Sequence, residues 1–152
     1  VELASRALQY GQQVSDPMAK TTPILQRVLA RRESADIEAE EPILRFAIER
    51  FPSSPTPSAF LALSLLDSGR RDEAGRQFAE LAAENFDDLR RHFRLGVLPL
   101  LAEICHRLCD RTRAGALYQQ LLPLAQLNVP AGLTAYFGAG SRYLGLLADT
   151  LD

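Results

Sequence analysis

Two short segments of the sequence carry residue types that could do chemistry. The first is Cys105-His106-x-x-Cys109. Because thiols four residues apart can share one face of a helix, the residue types in this segment suggest a metal or redox site. A metal would need further ligands, and the only other histidine in the sequence is His92. The sequence therefore favours free thiols, with Cys105 as a small core residue and Cys109 as a turn residue.

The second segment is Gly-Ala-Gly-Ser at residues 138–141. No strand is predicted before it and no Lys follows it, so it fits neither a P-loop nor a dinucleotide fingerprint. Close helix packing, or a bend within the last helix, explains these glycines more simply. No serine has a recognisable histidine partner. We therefore predict a non-enzyme with no catalytic residue, no cofactor and no metal.

Length and charge limit the function further. A chain of 152 residues is about one domain, and it has no run of roughly 18 apolar residues that could span a membrane. A net charge of −2, with Lys20 the sole lysine, disfavours nucleic-acid binding. Two cysteines are too few for the disulfide framework of a small secreted domain, and this cysteine count favours a cytoplasmic location. The opening Val1-Glu2 has neither an initiator Met nor a signal pattern, and we expect a fragment of a larger protein.

Helical periodicity runs through nearly the whole chain. Apolar residues recur at three- and four-residue spacing, and alternating β-branched stretches are almost absent. Turn-forming residues such as Ser68-Gly69 and Cys109-Asp110 divide the pattern. We predict an all-α fold in a single domain over residues 1–152. About eight helices are expected, near 2–14, 17–33, 37–51, 57–68, 71–84, 95–108, 111–125 and 131–150.

Parts of this pattern repeat. The segment that begins at Leu61 matches the segment that begins at Leu101, forty residues later. The matched pairs are Leu61 with Leu101, Ala62 with Ala102, Ala74 with Ala114, Gly75 with Gly115, Phe78 with Tyr118 and Leu81 with Leu121. A weaker match runs backwards from Phe78 to Leu44. The clearest repeats cover residues 36–52, 57–86 and 95–126, and short loops between their helices predict antiparallel hairpins.

These residues resemble the tetratricopeptide (TPR) repeat. That family has a Leu and a small residue in the first helix, Gly at the turn, Ala in the second helix and an aromatic four residues later. Cys109 stands where the turn glycine is expected, and neither first helix opens with an aromatic residue. The resemblance implies a superhelical stack of hairpins that binds proteins or neighbouring domains of the same chain.

A second resemblance lies in residues 101–105, 116–125 and 141–148. These segments are similar to the helical C-terminal region of bacterial ATPase-containing nucleotide cyclases and LuxR-type transcription regulators. The resemblance implies a non-catalytic scaffold in such a regulator, although the ATPase, cyclase and DNA-binding motifs are absent from this chain. The alternative is a segment that senses a small molecule. A sensor should have a closed apolar cavity with a few polar groups, whereas a scaffold should have an open groove.

The TPR pattern also suggests which residues line the groove. On the later first helix the groove-facing positions are Pro99, Glu103, His106 and Arg107, which share one helical face. The family's carboxylate clamp uses Lys, Asn and Arg at such positions, so Pro99 and Glu103 argue against recognition of a peptide C-terminus. We predict partner binding through Glu103, His106 and Arg107.

Two further surfaces are predicted to make contacts. Arg90, Arg91 and Arg94 form a basic cluster that could dock on an acidic surface. The predicted last helix lacks a second helix to cover it, so its apolar face should be open and should pair with another copy, giving a homodimer of the fragment. The residues expected on that face are Leu133, Phe137, Leu144 and Leu147. The acidic run at Glu38, Glu40 and Glu41 is explained as the negatively charged start of a helix.

Overall fold

The computed structural model describes residues 1–11, 13, 17–34, 36–86, 91–131 and 135–152. In that part of the chain the fold is all-α, with eight α-helices and one small two-stranded sheet. The helices are α1 Glu2–Gly11, α2 Pro17–Glu33, α3 Glu41–Arg50, α4 Pro55–Asp67, α5 Arg71–Leu81, α6 Arg91–Leu108, α7 Arg111–Leu121 and α8 Gly140–Leu151. Short 3₁₀ turns lie at Ile37–Glu40, Ala83–Phe86 and Leu122–Leu124.

Helices α4/α5 and α6/α7 form two hairpins whose turns have the same backbone. Gly69 has φ +74° and Cys109 has φ +55°, so a left-handed residue ends the first helix of each hairpin. The next residue donates its N–H back into the helix in both turns, from Arg70 to Leu65 O at 2.8 Å and from Asp110 to Cys105 O at 3.0 Å. The Asp110 carboxylate then caps α7 by accepting the N–H of Arg113 at 3.2 Å.

Residues that match at the forty-residue offset occupy matching places in the two hairpins. Leu61 and Leu101 are both buried, as are the small residues Ala74 and Ala114. Phe78 is buried at the position where Tyr118 is half-buried. Small side chains let the two helices of a hairpin approach closely, and the larger ones fill the space beside them.

The helices pack in an order that follows these hairpins. Helix α4 contacts α3, α5 and α6, while α6 contacts α4, α7 and α8. Helix α8 also packs on α7, and α2 packs on α1 and on the 3₁₀ turn Ile37–Glu40. A core cluster runs through these contacts from Val28 of α2 to Leu147 of α8. None of the helices in the described ranges is long and apolar enough to span a membrane.

The helix predicted near 131–150 is wrong over its first half. Strand β1 (Asn128–Ala131) pairs antiparallel with β2 (Ala135–Ala139), and α8 begins only at Gly140. Pro130 has no N–H to donate to a helix and fits a short strand, while Gly138 adopts φ +95°, which a helix does not allow. The register shifts between Val129 and Pro130, so the hairpin is irregular as well as short.

Candidate functional site: the polar face of helix α6

The three residues predicted to line a groove each connect α6 to a different part of the chain. The guanidinium of Arg107 donates to Asp67 Oδ1 of α4 at 2.6 Å. Its backbone carbonyl also accepts a hydrogen bond from Arg71 of α5 at 2.7 Å. Pro99, placed on the same predicted face, is buried. Arg107 therefore ties the second hairpin to the first.

His106 faces α8 instead. Its Nδ1 lies 3.2 Å from Thr150 Oγ1 and 3.6 Å from Asp149 Oδ2. The Thr150 hydroxyl donates its own proton to Leu146 O at 2.8 Å. Because that hydroxyl can only accept from the imidazole, Nδ1 of His106 carries the proton in this arrangement. His106 is thus a donor that fixes the end of α8.

Glu103 contacts α2 through Arg32, which lies 71 residues earlier in the sequence. One oxygen accepts a hydrogen bond from Arg32 near the end of α2. The other, Oε2, is buried without a hydrogen-bond partner, although the side chain as a whole keeps 14% of its exposure. Burial raises the pKa of the nearby Tyr143 hydroxyl, and the negative charge of Glu103 raises it further. The Tyr143 hydroxyl donates to Phe137 O at 2.7 Å.

Two more arginines of α2 converge on a buried carboxylate. Arg27 Nε donates to Glu40 Oε2 at 2.6 Å, and Arg31 Nε lies 3.2 Å from Glu40 Oε1. The Glu40 side chain is 0% exposed. Removing a carboxylate from water is costly unless it is paired, and here two guanidinium groups pair it. Arg31 also donates to Asp36.

The structure corrects the interpretation of the acidic run. Glu41 does lie in the first turn of α3, where the helix dipole favours an acid. It also accepts hydrogen bonds from Arg45 and Arg70, and these bonds lower its pKa. Glu40 faces α2 instead. The missed signal is the spacing of Arg27, Arg31 and Arg32, which places three cations along one side of a helix.

The Cys105-His106-x-x-Cys109 segment does not converge on one point. Cys105 is buried and its thiol lies 3.2 Å from Asp110 O as a donor, whereas Cys109 is exposed. Burial raises the pKa of the Cys105 thiol to about 12. His106 points to α8. Within the described ranges, no group of three or more His, Cys, Asp or Glu side chains is placed to hold a metal ion.

The glycine segment at 138–141 has a different setting from the one predicted, because its first two residues end strand β2 and its last two begin α8. Gly140 lies against the 3₁₀ turn, and a Cβ there would come within 2.1 Å of Leu124 O. Its N–H donates to Leu127 O at 2.8 Å. The start of α8 is therefore packed on protein backbone, which agrees with the predicted role in close packing. The predicted bend within the last helix is wrong.

The open face predicted for self-association is wrong at Leu144 and Leu147, which are buried within the chain. Leu144 is 8% exposed and Leu147 is 0% exposed, because α8 packs these residues on α6 and α7. Phe137 is half-buried, with its ring 6.4 Å from that of Phe60. Leu133 lies outside the described residues. The apolar face of α8 is therefore covered within the chain.

Of the predicted basic patch the structure shows little. Arg90 lies outside the described residues. Arg91 and Arg94 belong to the first turn of α6, and only their backbone is described. Docking through this patch therefore stays a prediction.

No family model, no curated protein and no solved structure matches the chain.

Proposed function

We propose that this chain is a non-catalytic helical-repeat scaffold that mediates protein–protein or inter-domain contacts. The observation that carries the proposal is the polar face of α6, defined by Glu103, His106 and Arg107. Each of these side chains joins α6 to a separate helix: α2, α8 and α4. A face that already holds several helices through single polar contacts is suited to arranging protein elements.

The hairpin geometry supports a TPR-like stack. The first helices of successive hairpins, α4 and α6, pack on each other, and α8 packs on both α6 and α7. The left-handed turn residues Gly69 and Cys109 occur at the same place in each hairpin. In stacked hairpins of this kind the first helices line one extended surface. On the second resemblance, the setting is a bacterial signalling or transcription regulator in the cytoplasm.

In the part of the chain that the structure describes, a cleft bears on the alternative function, the sensing of a small molecule. A cleft of about 340 Å³ lies between the α3–α4 connection, α5 and the 3₁₀ turn Ala83–Phe86. Its lining includes Pro52, Ser54, Gln77, Glu80 and Phe86. The cleft opens to solvent and mixes polar with apolar side chains, whereas a sensor pocket is typically enclosed and mostly apolar. The scaffold is therefore the better supported function.

Site-specific photocrosslinking would separate the two functions. A benzophenone side chain is placed at Phe46, Leu127 or Tyr136, which are large, exposed apolar residues on separate elements. For a scaffold we expect a discrete protein adduct from at least one position when the chain is expressed in cells. Absence of adducts from all three positions, together with a rise in melting temperature caused by a small molecule, would refute the scaffold in favour of the sensor.

A further inference from the structure

Helix α2 is attached differently from the paired helices α4 to α7. It packs on α1 and on the 3₁₀ turn Ile37–Glu40, and it reaches α6 through the side chain of Arg32. Ile24 and Val28, one turn apart on α2, are buried, and Leu25 and Leu29 pack beside them against the core. Helix α2 is therefore held by an apolar stripe together with a set of arginines.

The arginines and their acceptors form a complementary pair of surfaces. Arg27, Arg31 and Arg32 stand at positions i, i+4 and i+5 of α2. Opposite them, Glu40 is completely buried and Glu103 is mostly buried. We call Glu40 and Glu103 the acidic site. Partly buried charge pairs contribute more to the choice of partner and register than to net stability, since their desolvation costs offset much of the attraction.

The acidic site also has unused capacity. Glu103 Oε2 is buried without a hydrogen-bond partner, while Oε1 takes the single bond from Arg32. A guanidinium can donate two parallel hydrogen bonds to a carboxylate, which is a tighter arrangement than the single bond made here. The acidic site is thus filled by α2 without being fully satisfied by it.

We infer that the acidic site binds an arginine-bearing helix and that α2 is its occupant in cis. A partner helix with apolar residues one turn apart and arginines at the spacing of α2 would exchange with it. This inference rests on the proposed scaffold function and names the class of partner. The recognition elements are the two carboxylates for the arginines and the core residues that bury Ile24 and Val28 for the apolar stripe.

Binding of a labelled peptide tests the exchange. The peptide has the sequence of residues 17–34, and the receptor is the full 152-residue chain. An Arg32→Glu chain weakens its own cis helix, so we expect it to bind the peptide at least tenfold more tightly than the unmodified chain. A Glu103→Arg chain should lose peptide binding. Glu49→Arg, a matched charge reversal at an exposed site on α3, should behave like the unmodified chain.

Two controls separate recognition from misfolding. In the Arg32→Glu chain, hydrogen exchange should speed up in α2, while the amides of α4 to α8 keep their protection. A peptide with Gln in place of its three arginines should bind at least tenfold more weakly. The Glu103→Arg chain, in which Arg32 of its own α2 faces an arginine, should reject the original peptide and accept one that carries Glu at position 32.

The inference is overturned if Arg32→Glu leaves peptide affinity or α2 exchange unchanged, if Glu103→Arg binds as well as the unmodified chain, or if the Gln peptide binds equally well. Any of these results, combined with a discrete adduct in the photocrosslinking experiment, removes the arginine-helix partner and leaves the scaffold standing. Absence of adducts from all three positions, together with a rise in melting temperature caused by a small molecule, would remove the scaffold itself.

Discussion

Replacing Cys109 with Gly should stabilise the protein. Cys109 has φ +55°, and an L residue in the left-handed region costs roughly 1–2 kcal/mol relative to the right-handed one. Glycine avoids that cost but loses about 0.5–1 kcal/mol more backbone entropy on folding. The thiol is exposed, so little burial is lost. The net expectation is a gain of about 0.5–1 kcal/mol in the free energy of unfolding.

The equivalent turn provides the reverse experiment. Gly69 has φ +74°, and a Cβ added there would meet no atom within 4 Å. Gly69→Ala therefore introduces backbone strain without a clash, and it should cost about 0.5–1 kcal/mol. Cys109→Ala keeps the Cβ and should change stability by less than about 0.5 kcal/mol.

Urea denaturation of the full chain, followed by far-UV circular dichroism, measures all three changes. Midpoints should move in opposite directions for Cys109→Gly and Gly69→Ala, with unchanged slopes. If Cys109→Gly destabilises the protein, or if Gly69→Ala is neutral, the two turns are not equivalent and the backbone reasoning is wrong.

Three further predictions concern the core, pH and the thiols. Ala114→Arg should overpack the second hairpin and bury an unpaired charge, lowering stability by about 3 kcal/mol or more, and a native melting temperature in that variant would contradict the predicted register. Hydrogen bonds from Arg70 lower the pKa of Glu73 in the folded protein. This pair should therefore stabilise the fold above the unfolded pKa of about 4.5, and the stabilisation should be lost as pH falls through the lower folded pKa. In denaturation curves measured at a series of pH values, Arg70→Gln should reduce the loss of stability in acid. At pH 8 a maleimide should label Cys109 rapidly and Cys105 only on unfolding, because burial raises the pKa of the Cys105 thiol to about 12. Rapid labelling of two thiols per native chain would contradict this prediction.

The all-α fold could be predicted because its signals are local. Helical periodicity and turn residues such as Gly69 act within a few residues of the positions that they determine. The match between Ala74 and Ala114 similarly predicts small residues at helix crossings, and both residues are buried. The β-hairpin was missed because Pro130 and Gly138 lie in a short, irregular pairing that lacks an alternating apolar pattern.

The candidate site was only half predictable for a related reason. Helical spacing predicts Glu103, His106 and Arg107 on one face of α6, and in the structure each of them contacts a different helix of the same chain. Partner binding through these residues stays a prediction. Their partners depend on how distant segments pack, and no local rule connects Arg32 with Glu103. The exposure predicted for Leu147 was wrong because α8 packs its apolar face on both α6 and α7, and no further helix is needed to cover it.

The Asp67–Arg107 ion pair has a consequence for how the two hairpins could be rearranged. These residues are forty positions apart, so they are the same position of successive hairpins with opposite charge. If a copy of the α4/α5 hairpin replaced the α6/α7 hairpin, an aspartate would face Asp67. If a copy of the α6/α7 hairpin replaced the α4/α5 hairpin, an arginine would face Arg107. Like charges facing each other at such a crossing are unfavourable. Although similar in sequence, the two hairpins are therefore complementary at this crossing, and neither can be replaced by a copy of the other without placing like charges face to face.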